Sequence, residues 1–266
     1  MKWILFLPMI LGSNYLRAQE LFVFTEPASN MAAQSIGFRL NNFLEEGTTS
    51  NNYYLIPEIM FGISRKVMVH TDLFTSNISG NFKADGGSLY LKYRFFSNDE
   101  VQRHFRMSAF TRFSYNSLPL NEEAINIYGK NSGIESGVVE TALLHKIALS
   151  SGVSYVRAFE PESSYFKSYG GSANAINYTI SAGRLMLPNV YKSYDQLNIN
   201  LMTEFLGQYN LESKHAYLDF APGLQFIIKS VARVDIGYRT ELTGNMFRSG
   251  RNWWLLRLEY NLFNVW

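Results

Sequence analysis

Alternation of apolar and polar residues, in segments of about ten residues, is the feature that most constrains this chain. In residues 231–242, Val234 and Ile236 fall on one face of an extended strand, whereas Asp235 and Arg239 fall on the other. Successive side chains of a strand point to opposite sides, so the pattern predicts strands with one apolar and one charged face. A helix brings residues three and four positions apart together and does not produce this pattern.

The same alternation recurs along the chain and predicts about twelve antiparallel strands. They cover residues 35–43, 53–63, 67–75, 87–96, 105–116, 132–144, 147–159, 174–185, 195–206, 215–228, 231–243 and 252–263. Short polar joints at 64–66, 144–146 and 229–230 alternate with longer polar stretches. This rhythm is typical of outer-membrane barrels, which have short periplasmic turns and longer extracellular loops. An even strand number places both ends of the barrel on the periplasmic side.

A soluble β-sandwich or a secreted barrel shows the same alternation and is the alternative fold. Strands of about ten residues exceed the usual five or six of soluble sheets. Aromatic residues make up 15% of the chain. The last strand carries Leu258, Tyr260 and Leu262 at alternating positions and is followed by Trp266, with Asn264 interrupting the register. This ending resembles the C-terminal signal of outer-membrane proteins. We therefore predict an all-β, antiparallel transmembrane β-barrel in the bacterial outer membrane.

The N-terminus has the composition of a secretion signal. Lys2 precedes an apolar run at 3–11, and Ala18 offers a small residue for cleavage. A membrane anchor is less consistent with this run, because a spanning helix needs ~20 apolar residues. We predict a signal peptide at 1–18, a periplasmic or lumenal segment at 19–34 and the barrel at 35–266. The segment 19–34 could enter the lumen, add a short strand or lie in the periplasm.

The polar face of such a barrel lines the lumen and carries nearly balanced charge. The predicted lumen-lining charged residues are Glu58, His70, Asp72, Lys92, Arg94, Arg106, Arg112, Glu140, Glu204, Asp219, Arg233, Asp235, Arg239, Glu241, Arg257 and Glu259. Two interpretations are open. Facing charges form a selective constriction, or they form an ion-paired lining that satisfies polar groups in a narrow barrel.

Aromatic residues near strand ends suit the girdles at the two membrane interfaces. The predicted interface residues are Tyr53, Tyr54, Trp253, Trp254 and Trp266. The expected partners are outer-membrane lipid and, through the C-terminal strand, the outer-membrane insertion machinery. Other outer-membrane proteins are further candidates.

Several function classes are disfavoured. The net charge of +2, without basic clusters, argues against nucleic acid, and the absence of cysteine excludes disulfides and thiol chemistry. His70 and Asp72 share a face, which could orient a general base, but an ion-paired lumenal histidine is the commoner case. No His and carboxylate spacing indicates a metal. We predict no enzyme activity, no metal and no cofactor.

Four segments resemble a family of uncharacterised outer-membrane proteins of Bacteroidota. They are 25–31 (TEPASNM), 57–70 (PEIMFGISRKVMVH), 92–95 (KYRF) and 103–107 (RHFRM). The strand, GIS, turn and strand pattern is distantly similar to outer-membrane transporters of the phenol-degradation type. The resemblance implies a porin-like barrel that serves transport, and it supplies no functional residues.

The sequence therefore predicts an outer-membrane channel or transporter for a small solute or ion. The alternative is a non-conducting barrel that acts as a subunit or scaffold of a larger complex for protein export or assembly. Fold alone does not decide between them.

Overall fold

The structure is a computed structural model that describes residues 22–47, 50–100, 103–118, 122–159, 174–190 and 195–266. The predicted signal peptide at 1–18 lies outside these ranges, as do residues 19–21. Among the residues that are described, no helix has the length and apolarity needed to cross a membrane as a helix.

Twelve antiparallel strands close into a single barrel in the described part of the chain. They are β1 (Ser35–Gly47), β2 (Asn52–Gly62), β3 (Val67–Ser76), β4 (Lys83–Glu100), β5 (Arg103–Asn116), β6 (Gly133–Leu144), β7 (Ile147–Ala158), β8 (Asn174–Leu187), β9 (Asn198–Asn210), β10 (Ala216–Ile228), β11 (Ala232–Gly244) and β12 (Gly250–Phe263). β1 pairs with β12 from Ser35↔Phe263 to Gly47↔Gly250, so the sheet has no free edge. The predicted fold class is confirmed.

The two faces of the sheet differ as the alternation predicts. On β4, Leu89, Leu91 and Tyr93 are exposed on the outside, whereas Tyr90 and Lys92 between them are buried in the lumen. A soluble sandwich would bury its apolar face and expose its charges. An apolar outer surface around a polar interior is the arrangement of a barrel that crosses a bilayer. The alternative of a soluble β-protein is therefore excluded.

β1 begins and β12 ends at one end of the barrel, here named the terminal end; the other is the distal end. Links at the terminal end are 63–66, 101–102, 145–146, 188–197 and 229–231. Links at the distal end are 48–51, 77–82, 117–132, 159–173, 211–215 and 245–249. The predicted alternation of short and long links is not strict, because 188–197 is longer than 48–51 at the opposite end.

Candidate functional site

Charged side chains on the inner face form ion pairs between neighbouring strands. Between β11 and β12, Arg233 lies 2.8 Å from Glu259 and Arg257 lies 3.5 Å from Asp235; within β11, Arg233 also lies 3.1 Å from Asp235. Such cross-strand pairs contribute roughly 0.2–1 kcal/mol each. The predicted lumen residues that face inward are Glu58, His70, Asp72, Lys92, Arg94, Arg106, Arg112, Glu204, Asp219, Arg233, Asp235, Arg239, Glu241, Arg257 and Glu259.

Glu140 is the exception, because it is exposed on the outer face of β6, where Ser151 donates a hydrogen bond of 2.9 Å to it. β6 carries Glu135 and Glu140 at positions of opposite parity, so only one of them can face the lumen. Glu135 is that one: Ser154 and Asn177 both donate hydrogen bonds to its carboxylate. The prediction for Glu140 is wrong, and Glu135 takes its place.

Two predicted interface aromatics also lie inside. Tyr54 is buried in the lumen and stacks on Trp253, with ring centroids 5.5 Å apart. Their chain neighbours Tyr53 and Trp254 point outward, and Trp254 is exposed. Adjacent residues of a strand point to opposite sides, so an aromatic doublet places one ring on each face. The prediction is wrong for Tyr54 and Trp253. The remaining residue, Trp266, is exposed beyond the end of β12.

Arg39 on β1 is buried and contacts three carboxylates, although it is not among the predicted lumen-lining residues. Its guanidinium lies 2.8 Å from Glu26, 3.2 Å from Glu58 and 2.8 Å from Glu259. A guanidinium has five donors in a fixed fork, so one arginine can satisfy several carboxylates. Arg39 alternates with Phe38 and Leu40 in the same pattern that identified the other lumen residues. That pattern could have identified it.

The predicted pairing of His70 with Asp72 is not the one that forms. His70 Nδ1 lies 2.6 Å from Glu58 Oε1 on the neighbouring strand, and Asp72 accepts from Arg112 at 2.8 Å. Glu26, Glu58 and His70 bring potential metal ligands within 4.8 Å of one another. The Arg39 guanidinium already lies against the carboxylates of Glu26 and Glu58 and supplies positive charge to both. The donor set therefore fits an ion-paired lining better than a metal centre.

The N-terminal segment (residues 22–34) enters the lumen from the terminal end. Val23 and Ala28 are completely buried there. Glu26 lies 2.8 Å from Arg39 and 3.7 Å from Lys92. Burial alone would raise the pKa of the Glu26 carboxyl, but the charges of Arg39 and Lys92 outweigh it and hold the pKa well below its usual range. Glu26 is therefore an ionised carboxylate, and its ion pairs with Arg39 and Lys92 hold the segment against the wall.

The inward loop (residues 122–132) enters the lumen from the distal end, between β5 and β6. The side-chain amide of Gln208 binds both main-chain groups of Ile125, at 2.8 Å each. Asn41 donates to the Tyr128 hydroxyl at 2.8 Å, and that hydroxyl donates to Glu58 at 3.2 Å. Glu58 also binds Arg39, so one chain of contacts links the loop to the N-terminal segment.

Lys130 fastens the inward loop to the wall by charge. Its ammonium lies 2.7 Å from Glu45 on β1 and 2.9 Å from Glu122 within the loop, and all three side chains are buried. The ammonium also lies 4.8 Å from the centroid of the Trp253 ring and 5.9 Å from that of Tyr54. Cations are attracted to aromatic faces, so the two inward-facing rings complete the lysine site.

Glu123 ties the inward loop to neighbouring distal links. Its carboxylate accepts hydrogen bonds from the Ser213 hydroxyl and from the main-chain nitrogen of Phe247, the latter at 3.2 Å. It also lies 3.0 Å from His215 Nδ1. Burial alone would raise the pKa of Glu123, but the hydrogen bonds from Ser213 and His215 outweigh it and lower the pKa below its usual value.

A second group of charges lies at the distal end. Arg248 reaches Asp219 at 2.7 Å, and Arg239 reaches the same carboxylate at 2.6 Å. The Arg248 guanidinium lies 3.9 Å from the centroid of the Tyr217 ring. Burial alone would lower the pKa of Arg248, but the hydrogen bonds and charge of Asp219 outweigh it and raise the pKa above its usual value. Arg248 therefore stays charged.

A cavity of about 290 Å³ lies in the lumen between the N-terminal segment and the inward loop. Phe24, Thr25 and Glu26 of the segment lie on one side, and Ile125 and Tyr128 of the loop line the other. The basic residues that line the cavity are Arg39, Arg112, Lys130, Arg239, Arg248 and Arg257. The acidic residues that line it are Glu26, Glu58, Glu122 and Glu135. Charged residues of both signs and apolar residues line the cavity together, and both inserted segments bound it.

No family model matches the chain, and no curated protein matches it. Among solved structures, the chain is similar to the KdgM porin at 10% identity, with 84% of this chain and 98% of that chain covered and a TM-score of 0.50. It is similar to the NanC porin at 11% identity, with 85% and 100% covered and a TM-score of 0.53. At this identity the likeness concerns the fold. The chain therefore shares the closed barrel fold of these two proteins, and its apolar outer surface is that of a β-barrel of the bacterial outer membrane.

Proposed function

We propose that this barrel is a channel for small, preferentially anionic solutes, and that the N-terminal segment and the inward loop hold it closed in the present state. The observation that carries the proposal is the cavity itself. It lies inside a closed barrel, and the segments that bound it lie outside the strands. Such segments can move without breaking the hydrogen-bonded wall. The comparisons do not favour the alternative of a scaffold in a larger complex.

The charge of the cavity lining supports the preference for anions. The basic residues named above outnumber the acidic ones, and the acidic Glu26 belongs to the N-terminal segment. When that segment leaves, its carboxylate leaves with it, so the open lumen is more basic than the closed one. A lining in which one sign of charge is in excess raises the local concentration of ions of the opposite sign, here anions.

Single-channel recording in planar bilayers tests the proposal. The full chain is expected to show a low basal conductance, and a chain without residues 22–30 a stable and larger one. Under a KCl gradient, the reversal potential of the shortened chain is expected to indicate chloride preference. Arg239→Ala should reduce that preference, because Arg239 lines the cavity, whereas Arg65→Ala in the terminal link 63–66 should not. A folded shortened barrel that stays silent would contradict the proposal.

Several finer predictions from the sequence belong to this proposal. They are cleavage of the signal peptide after Ala18, membrane-interface positions for Tyr53, Trp254 and Trp266, and recognition of the last strand by the insertion machinery. The absence of enzymatic activity, the relationship to the Bacteroidota family and the distant likeness to phenol-type transporters also stay predictions.

A further inference from the structure

Four buried side chains of the barrel wall bind the N-terminal segment through its main chain. Glu204 accepts from the amides of Val23, Phe24 and Thr25, at 2.7, 2.8 and 2.8 Å. Consecutive amides that converge on one carboxylate form a nest, an arrangement suited to binding anions. The Thr25 hydroxyl also donates to Glu204, at 2.7 Å. The other three donors are main-chain groups, so the contact does not depend on the side chains of Val23 and Phe24.

The other three wall residues continue the pattern. Thr141 accepts from the amide of Ala28 at 2.9 Å, and Ser108 donates to the carbonyl of the same residue at 2.6 Å. Lys92 donates to the carbonyls of Pro27 and Ser29, at 2.8 and 2.9 Å. Glu204, Thr141, Ser108 and Lys92 stand on β9, β6, β5 and β4. Together they bind main-chain donors and acceptors of this irregular, bent segment, from strands that span half of the barrel.

The wall also leaves room for the side chains of the segment. Phe22 and Val23 pack with Leu143 and Met202 in an apolar cluster inside the lumen. Glycine at position 237 of the wall is required for this fit: a Cβ there would lie 2.6 Å from Cε2 of Phe24. These wall residues form the cradle of the N-terminal segment, which has an apolar pocket at one end and polar main-chain contacts along the rest.

We infer that the terminal half of the lumen is a peptide-binding site, which residues 22–30 occupy in cis as an irregular segment with bends at 23–25 and 28, and which an equivalent peptide can occupy in trans. The preferred ligand has apolar residues at its first positions, an acidic residue facing Arg39 and Lys92, and a small residue where Ala28 is buried. A covalently attached occupant has an effective concentration of ~mM, so the trans peptide binds only after the cis segment is released. The inference goes beyond solute conduction and does not require it.

The test uses the full chain with a protease site inserted between Ala33 and Gln34, cleaved after the barrel has folded. Gln34 is exposed, so this junction is accessible. Fluorescence anisotropy then measures binding of a labelled peptide with the sequence of residues 22–30, FVFTEPASN. The cleaved fragment is expected to stay bound through washing and to be displaced when the labelled peptide is added in excess, which gives saturable binding. A fragment that leaves and whose peptide does not bind again would overturn the inference.

Two matched changes test the main-chain contacts. N-methylation of the Phe24 amide in the peptide removes one donor to Glu204 and keeps every side chain, and Glu204→Gln weakens the acceptor. Each should lower affinity about tenfold or more, the loss typical of a hydrogen bond to a charged group. Glu241→Gln, also lumenal, pairs with Arg248 and Arg251 rather than with the segment and should leave affinity unchanged. Equal binding of the methylated peptide would contradict main-chain recognition.

Retained heat-modifiable migration in gels shows that each variant is folded. Since binding is measured directly, failure of the peptide site is distinguishable from failure of the channel proposal. A cleaved barrel that conducts but binds no peptide contradicts only the peptide-site inference. A cleaved barrel that binds peptide but shows no conductance after the peptide is removed contradicts only the channel proposal.

Discussion

The two inserted segments close the same lumen with different chemistry. The N-terminal segment is held mainly through its main chain, by Glu204, Lys92 and their neighbours. The inward loop is held mainly through its side chains, above all by Lys130 between Glu45 and Glu122. The first arrangement tolerates changes in the inserted sequence but depends on the wall. The second depends on individual charges of the loop.

The difference indicates which insert can move alone. The N-terminal segment leaves through the terminal end and takes along only Glu26 among the charged side chains that line the cavity. The inward loop is continuous with β5 and β6, and its release would remove Lys130 and leave the buried Glu45 carboxylate without its ammonium partner. We therefore expect the N-terminal segment to be the mobile gate and the loop to be a fixed part of the lumen. Three changes test this contrast.

The largest effect is expected from Lys130→Met. Breaking a buried ion pair from one side leaves uncompensated charge and costs about 3–5 kcal/mol. The free energy of unfolding in urea should fall by that amount, and the inward loop should become susceptible to protease. Lys229→Met, on an exposed terminal turn, is the matched control and should change neither. An unchanged stability would show that the loop is not held by charge.

A smaller effect is expected from Gly237→Val, which fills the cradle of the N-terminal segment. Overpacking of this kind costs about 1–3 kcal/mol, which corresponds to roughly a 5- to 150-fold change in the population of the open state. Channel open probability in planar bilayers should rise accordingly. Gly152→Ala places its methyl near the rotatable hydroxyl of Thr179, away from the segment, and should not alter gating. A closed but folded Gly237→Val barrel would contradict this role of the segment.

The smallest effect is expected from acidification at Glu123. Its pKa is lowered in the folded state, so its contribution is complete above the ordinary value of 4.5 and is lost as pH falls through the folded value. The groups facing this carboxylate are Ser213, His215 and the amide of Phe247. Proteolysis of the inward loop should therefore increase below about pH 4.5. Glu123→Gln should remove the pH dependence, and a step that survives in this variant would assign it to another group.

Much of the barrel could be predicted because one local rule, two-residue alternation, applies to every strand. The rule works well on β11 and β12, where apolar and charged residues are cleanly separated. It fails on β6, where Val138 and Val139 are adjacent and both faces carry a glutamate. It also fails at Tyr54 and Trp253, because an aromatic residue suits a membrane interface and a cation site equally well.

The same alternation could not predict that two segments of the chain occupy the lumen. Residues 22–34 and 122–132 have no periodicity that reveals their position, and Glu204 looks like any other inward carboxylate in the sequence. Its role emerges only when three main-chain amides from about 180 positions away converge on it. Contacts between such distant parts of the chain depend on the closed wall, and local patterns do not encode them.

The sequence by itself determined a twelve-stranded barrel with an apolar exterior and a charged interior, because strand geometry turns alternation directly into two faces. Only the tertiary structure decided what the interior charges do. Ring closure brings β1 against β12 and places Arg39 between Glu259 and Glu58, and the inserted segments then complete the pairs. The lumen that the sequence left either open or ion-paired is both paired and occupied, with a cavity between its two inserts.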